Sequence, residues 1–308
     1  MRKILGTFDA GVPDADLLDD LIRRALDEDH ALDDRSTRPL RNADRIWRGR
    51  VLAKEDGVLA GVPVFARVFA MVAESAGGAD GTGSGSGAEV SGTGSGDGTL
   101  CAAGDDVLDV VGPAGVLLSA ERTALNFLQR LSAIAGATRR VVDAAEGRLH
   151  VCDTRKTTPG LRALEKYAVV VGGGTSHRWS LGDMVMLKEN HLELAGGIAA
   201  AVEQVRADAR SARLPLTVEV KTYEEAVEAG RLGVDRLLLD NMTLEEMAHI
   251  VSHFGDRERP ELEASGNVTL VRVPGIATTG VDLVSLGALT HSVRAVDFSF
   301  LLGAQAES

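Results

Sequence analysis

An arginine, a lysine and three threonines stand together at Thr154-Arg155-Lys156-Thr157-Thr158. They follow the apolar run Leu149-His150-Val151-Cys152, where a strand should end, and precede the turn-forming Pro159-Gly160. Adjacent cations and hydroxyls at the C-terminal end of a strand make a clamp for a polyanion. A solvated surface run would more often mix Lys with Glu and carry no such turn.

Other charges extend the pattern. Arg122, Arg155, Lys156, Arg178 and Lys188 together over-neutralise any monocarboxylate. They suit a ligand, or a ligand pair, bearing several carboxylates and phosphates. Glu219 and Asp240 then need their own explanation. Such groups hold ribose hydroxyls, hold Mg2+ through water, stabilise a developing cation, or form plain structural salt bridges. Ser265-Gly266 and Gly287-Ala288 offer backbone N–H groups at loop or helix starts, a usual seat for phosphate. His177, next to Arg178, reads as a general acid, as a hydrogen-bond donor to a ligand carboxylate, or as a structural imidazole. Gly172-Gly173-Gly174 lacks the pattern of a phosphate loop and reads as a permissive turn.

These residues need elements to bring them to one place. From residue 121 onward, short apolar runs alternate with helical ones. The strand-like runs are Leu149–Val151, Met184–Leu187, Leu216–Val220, Arg236–Leu239, Leu262–Ala264 and Val281–Leu286; the helical runs are Ile198–Arg210, Tyr223–Arg231, Leu244–Phe254 and Leu270–Thr278. Such alternation implies parallel strands with right-handed crossovers, and this many units favours a compact βα barrel over an open sheet. Lys188, Glu219, Asp240, Ser265 and Gly287 all fall at or near the ends of successive runs, on the face where a βα barrel builds its site.

Before residue 121 the style differs. A helix is expected from Asp14 to Asp29, with Leu17, Leu18, Leu21, Ile22 and Leu26 at helical spacing and Asp14 as its cap. Strand-like runs follow at Arg45–Ala53 and Gly57–Val62, then a helix at Phe65–Ala73, and a longer one at Ala120–Ile134. Residues 77–98 are mostly Gly, Ser, Thr, Asp and Ala, and read as a flexible loop within a domain.

Bulk properties bound the function. The chain has 308 residues, is 44% hydrophobic and carries a net charge of −12, which disfavours nucleic acid and anionic membranes as partners. Yet residues 121–191 hold 11 Lys and Arg against 7 Asp and Glu, leaving that stretch at +4 and the remainder at −16. A locally basic middle in an acidic chain suggests a small anionic ligand in a pocket. No apolar run is long enough to span a membrane. Cys101 and Cys152 have no metal-ligand spacing and read as buried thiols in a reducing compartment, and the N-terminus lacks a signal-like apolar region, so a cytoplasmic location is expected.

The chain resembles the quinolinate phosphoribosyltransferase family over nearly its whole length. The resemblance is carried by Glu121–Leu128, Asp153–Arg162, Glu165-Lys166-Tyr167-Ala168, His177-Arg178, Leu187–His191, Leu239–Met242, Glu263–Gly266, Thr279–Asp282 and Gly287–Ser292. It implies an N-terminal α/β sandwich joined to an incomplete, roughly seven-stranded βα barrel of the TIM-like type. The sandwich would cover residues 1–127 and the barrel 128–289, with 290–308 packing back on the sandwich.

The implied reaction moves phosphoribose from phosphoribosyl pyrophosphate to quinolinate. It yields nicotinate mononucleotide, pyrophosphate and carbon dioxide, requires Mg2+, and belongs to NAD biosynthesis. By motif, Arg122, Thr154, Arg155, His177, Arg178 and Lys188 match the quinolinate grip, with Arg122 reaching in from a partner subunit of a homodimer or larger oligomer. Lys156, Glu219 and Asp240 match catalytic groups around phosphoribosyl pyrophosphate, the two carboxylates holding the metal through water. The backbones of Ser265-Gly266-Asn267 and Leu286-Gly287-Ala288 match phosphate-binding loops.

Three departures stand out. Asn267 replaces a second glycine, Asp33–Thr37 varies a Gly-Asp-x-Thr-Thr motif, and the Gly/Ser-rich insertion is additional. The alternatives are a same-fold paralogue linked to molybdate transport and a noncatalytic metabolite sensor.

Overall fold

The computed structural model describes residues 10–76, 88–92, 96–255 and 259–305. The chain divides into two compact units. One comprises residues 11–137, 159–172 and 293–308, and the other residues 1–10, 138–158 and 173–292.

The first unit begins with α1 (Ala15–Glu28), capped as expected by Asp14, whose carboxylate accepts from the Leu17 N–H at 3.0 Å. Leu18, Leu21, Ile22 and Leu26 form its buried stripe, whereas Leu17 faces solvent. A four-stranded sheet has the order β12-β1-β5-β3, built from β1 (Ile46–Ala53), β3 (Glu89–Gly92), β5 (Asp106–Pro113) and β12 (Phe298–Gln305). β2 (Gly57–Val58) pairs with β4 (Leu100–Cys101). The run expected to be a strand up to Val62 therefore stops at Val58, and Val62 opens α2 (Val62–Ala76). Part of the expected loop at 77–98 is strand: β3 pairs antiparallel with β5, matching Val90 to Val110. Its sequence, Glu-Val-Ser-Gly, has too little apolar alternation to announce a strand, and the β5 backbone supplies the pairing. Residues 77–87 and 93–95 of that stretch lie outside the described residues.

α3 (Ala114–Ala145) is far longer than the expected Ala120–Ile134 and runs unbroken through position 127. Its first turns and middle belong to the first unit and its last residues to the second. α4 (Arg162–Val171) completes the first unit, with Glu165 and Lys166 both buried.

The second unit is a parallel sheet with helical crossovers. Its strands are β6 (His150–Cys152), β7 (Val185–Leu187), β8 (Leu216–Val220), β9 (Arg236–Asp240), β10 (Glu261–Ser265) and β11 (Leu283–Ser285), in the order β6-β11-β10-β9-β8-β7. Every pairing is parallel. The sheet has six strands where roughly seven were expected. An isolated parallel bridge, Cys152 to Thr175, adds one residue pair beside β6. The triple glycine just before Thr175 has little strand propensity, which limits pairing there to a bridge.

The helices of this unit are α5 (Glu189–Ala195), α6 (Ile198–Ala207), α7 (Tyr223–Arg231), α8 (Leu244–Phe254), α9 (Val273–Thr278) and α10 (Ala288–His291). Val218, Leu237, Leu239, Leu262, Ala264, Leu283 and Val284 are fully buried in the sheet and fix its register by their burial. Among the described residues no helix is long and apolar enough to cross a membrane.

Candidate active site

Register decides which side chains meet at the C-terminal edge of the parallel sheet. Leu187 of β7 pairs with Val218 of β8, so Lys188 and Glu219, one step further on, arrive side by side. Lys188 Nζ lies 2.6 Å from Glu219 Oε2, and the Glu189 N–H points to the other oxygen of that carboxylate at 3.4 Å. Lys221 pairs with Glu189 at 2.7 Å. Its ammonium pKa is held above the usual value, first by that hydrogen bond and then by the charges of Asp240 and Glu219. Glu219 and Asp240, from adjacent strands, therefore act on one point. Sequence reasoning missed Lys221, although its two-residue spacing from Glu219 was visible.

Ser265 is the register partner of Asp240 across β10 and β9. Just beyond them, Asn241, Gly266 and Asn267 take φ values of 57°, 82° and 45°. All lie in the left-handed region that Gly and Asn tolerate best. Asn267 in place of glycine is thus compatible with this turn, and its side-chain amide donates to Asn241 Oδ1 at 2.9 Å. A Cβ at Gly266 would add strain to its positive φ and, lying 2.5 Å from Asn241 Cγ, would displace that side chain.

At the far side of the edge, Leu286 donates its N–H to the Cys152 carbonyl, seating Gly287 and the exposed Ala288 beside the Lys156 loop. Thr290 Oγ1 donates to the Lys156 carbonyl at 2.7 Å, and a Cβ on Gly287 would lie 2.8 Å from Lys156 Cδ. Within the loop, the Lys156 N–H donates to Thr154 Oγ1 at 3.0 Å, leaving the ammonium end exposed.

Arg178 is the buried member of the set, with 7% of its surface exposed. Its guanidinium donates to the Met184 carbonyl at 3.0 Å and lies against Met186 Sδ, and it forms no ion pair among the described residues. Burial, and then the neighbouring charge of Arg155, lower its pKa. A guanidinium does not give up its proton on that account, so the site keeps a desolvated cation awaiting an anion.

His177 precedes it and is 4% exposed. Its Nδ1 accepts the Arg178 N–H at 2.8 Å, which places the ring proton on Nε2, 3.0 Å from Glu263 Oε2. Both ring nitrogens are thus engaged by the protein. Among the three sequence readings, this geometry agrees with the structural imidazole.

Beneath His177 lies a network that sequence reasoning did not find. Arg236 Nη1 reaches Glu263 Oε2 at 3.2 Å and lies 3.0 Å from His177 Nε2, and Arg236 Nη2 reaches Glu261 Oε2 at 2.7 Å. Burial alone would push the Glu263 carboxyl up, but the His177 ring, the Arg236 charge and the Ser285 hydroxyl bring it down to about 2. The signal was the alternation Glu261-x-Glu263-x-Ser265, which puts two carboxylates on the strand face that ends in Ser265.

Arg122 lies on α3 in the first unit, with its side chain 58% exposed and 3.9 Å from Glu121. The described residues contain no cluster of three or more His, Cys, Asp or Glu able to hold a metal alone. Two carboxylates, Glu219 and Asp240, suit a hydrated Mg2+ that a phosphate ligand completes. A cavity of about 530 Å3 beside Glu219 and Lys221 is rimmed by Glu189, Glu193, Glu225 and Glu228, a wall ill-suited to phosphate. Another, of about 320 Å3, lies in the first unit among α1, α3 and α4.

Comparison with known proteins agrees in both units. Residues 34–132 match the family model for the N-terminal domain of quinolinate phosphoribosyl transferase, and residues 134–301 that for its C-terminal domain. The human nicotinate-nucleotide pyrophosphorylase (carboxylating) is 40% identical over 258 residues, covering 82% of this chain and 81% of that protein. A tobacco quinolinate phosphoribosyltransferase (decarboxylating) is 38% identical over 268 residues, covering 80% of this chain and 71% of its own. The structure of the nicotinate-nucleotide pyrophosphorylase from Francisella tularensis superimposes with a TM-score of 0.86 at 31% identity, covering 96% of this chain and 100% of that one.

Proposed function

The chain belongs to the quinolinate phosphoribosyltransferase family, and from that membership we propose that it transfers phosphoribose from phosphoribosyl pyrophosphate to the ring nitrogen of quinolinate. The products are nicotinate mononucleotide, pyrophosphate and carbon dioxide, which makes the protein a pentosyltransferase of NAD biosynthesis. The observation that carries this reading is Arg178, a buried guanidinium beside Arg155 with no ion-pair partner among the described residues. A dicarboxylate supplies the missing charge at the strand ends, where the family motifs also fall.

Arg155, Arg178 and Lys188 take the quinolinate carboxylates, with Thr154 adding a hydroxyl and His177 holding the Arg178 backbone. Lys156 faces the departing pyrophosphate, and the backbones of Ser265-Gly266-Asn267 and Leu286-Gly287-Ala288 seat the phosphate groups. As the ribose–pyrophosphate bond breaks, its electron pair leaves with pyrophosphate and positive charge grows on the sugar, where Glu219 and Asp240 stabilise it. The nitrogen lone pair forms the new bond and leaves the ring cationic. Loss of carbon dioxide from the adjacent carbon then leaves an electron pair stabilised by that cation, and a solvent proton takes its place.

Glu219 and Asp240 are also the residues that would hold Mg2+ through water, and the ion, when bound, offsets pyrophosphate charge. The working unit in this proposal is a homodimer or larger assembly, with Arg122 contributed to a partner's quinolinate grip, in the cytoplasm. The protein's main task is to hold together two anions that repel each other in water.

The test offers quinolinate and nicotinate in parallel to the protein with phosphoribosyl pyrophosphate and Mg2+, following nicotinate mononucleotide and carbon dioxide. Turnover of quinolinate alone is expected. Folded protein silent with both acceptors would shift the reading to the molybdate-linked paralogue or to a sensor.

A further inference from the structure

We infer that Glu263, a buried residue that touches no substrate, is a positioning residue for quinolinate binding, acting through His177 on Arg178. The inference rests on the proposed function for its substrate, and on the following geometry for its substance.

Glu263 Oε2 sits 3.0 Å from His177 Nε2 and 3.2 Å from Arg236 Nη1, and the Ser285 hydroxyl donates to the same carboxylate. With Arg236 and Glu263 both 1% exposed, water cannot substitute for any of these partners. Arg236 Nη1, which has hydrogens only, lies 3.0 Å from the same Nε2 and would favour it bare. The carboxylate, which has acceptor atoms only, is therefore the partner that calls the proton to Nε2 and leaves Nδ1 of the neutral ring bare. Bare Nδ1 is what accepts the Arg178 N–H at 2.8 Å. The same peptide segment is tied a second time, by the His177 N–H donating to Asp153 Oδ1 at 2.9 Å, immediately before Thr154 and Arg155. Glu263 therefore selects the tautomer that holds the Arg178 backbone, and the guanidinium is then set by the Met184 carbonyl at 3.0 Å.

Replacing the carboxylate by an amide of the same shape tests this chain of contacts. In Glu263→Gln the amide can turn its NH2 toward His177, whose proton then moves to Nδ1 and confronts the Arg178 N–H. Glu261 is the internal control, since it meets Arg236 at Nε and Nη2 in the same buried network, whereas Nη1 faces Glu263 and His177. A merely structural role would weaken both variants alike.

The experiment measures KM for quinolinate and for phosphoribosyl pyrophosphate in wild type, Glu263→Gln and Glu261→Gln, with 15N NMR of the imidazole of His177. The expected result is a rise in quinolinate KM of roughly tenfold in Glu263→Gln alone, the lower end of what losing an orienting partner costs at metal-binding histidines. The KM for phosphoribosyl pyrophosphate should move by less than about twofold, and kcat should fall less than kcat/KM. The wild-type ring should carry its proton on Nε2, and the variant should lose that signature.

Equal KM changes for both substrates, equal effects in both variants, or a wild-type ring protonated on Nδ1 would each overturn the inference. If Glu263→Gln does not fold, the wild-type tautomer together with Ser285→Ala decides. Ser285→Ala removes one donor and leaves the carboxylate on His177, so the tautomer and the quinolinate KM should both persist, and loss of either would refute the inference. Wild-type protein inactive on quinolinate would instead overturn the proposed function, while the NMR result still reports on the Glu263–His177–Arg178 contacts.

Discussion

Two sets of acids and bases occupy the parallel-sheet unit at different depths, and they behave as opposites. At the strand ends, Lys188 pairs with Glu219 and Lys221 with Glu189, with lysine side chains 46% and 45% exposed, Glu189 69% and Glu219 11%. Below them Arg236 joins Glu261 and Glu263 with all three side chains almost wholly buried. The residue types are nearly the same, but water sets their worth. Exposed pairs are screened and part easily, which suits groups that must exchange a partner for a ligand. Buried pairs cannot part without stranding a charge, which suits groups that must never move. Arg178 stands between the two kinds, buried like the lower set and lacking an ion pair among the described residues.

The largest effect should come from cutting the lower set. Arg236→Met leaves Glu261 and Glu263 without their shared cation, and should cost about 3–5 kcal/mol of stability by urea denaturation. A loss no larger than that of an exposed ion pair would erase the distinction between depths.

Acid should reach the same network next. Glu263 titrates near 2 in the folded chain against an ordinary 4.5, so its contribution is complete above pH 4.5 and is lost as pH falls toward 2. That drop corresponds to roughly 3 kcal/mol. Unfolding free energies measured from pH 5 to pH 2 should show the decline in wild type and a flatter curve in Glu263→Gln.

Smaller in free energy is the response at the intermediate depth. Arg178→Ala should lower kcat/KM for quinolinate on the order of a hundredfold, about 2.7 kcal/mol, without lowering the urea midpoint. A matched fall in stability would move Arg178 into the lower set. Glu189→Gln should do least: removing the exposed partner of Lys221 should leave the urea midpoint where it was. A clear shift there would show that the strand-end pairs are more than screened contacts.

Much of this arrangement was legible in the sequence where a period carried it. α7 and α8 begin and end at the expected residues, Tyr223–Arg231 and Leu244–Phe254, because each has an amphipathic face and a threonine cap. β8 likewise matches the run Leu216–Val220. α4 was missed because Glu165 and Lys166 are buried there, so polarity does not mark its solvent face. The strand-end residues were visible one at a time, since each follows its own apolar run. The Glu263–His177 contact was not, because 86 residues separate the partners and no local pattern links them.

Gly287 has a consequence for anyone who evolves this protein. Its φ of −65° suits any residue, so the backbone does not demand glycine. The demand comes from Lys156 Cδ, 2.8 Å from where a Cβ would be, with His291 Nε2 at 3.0 Å behind it. A methyl group there would be accommodated by diverting the lysine chain, a flexible side chain that the fold can spare. Under the proposed role of Lys156, position 287 would drift in a selection for soluble expression and be locked in a selection for growth that depends on the reaction.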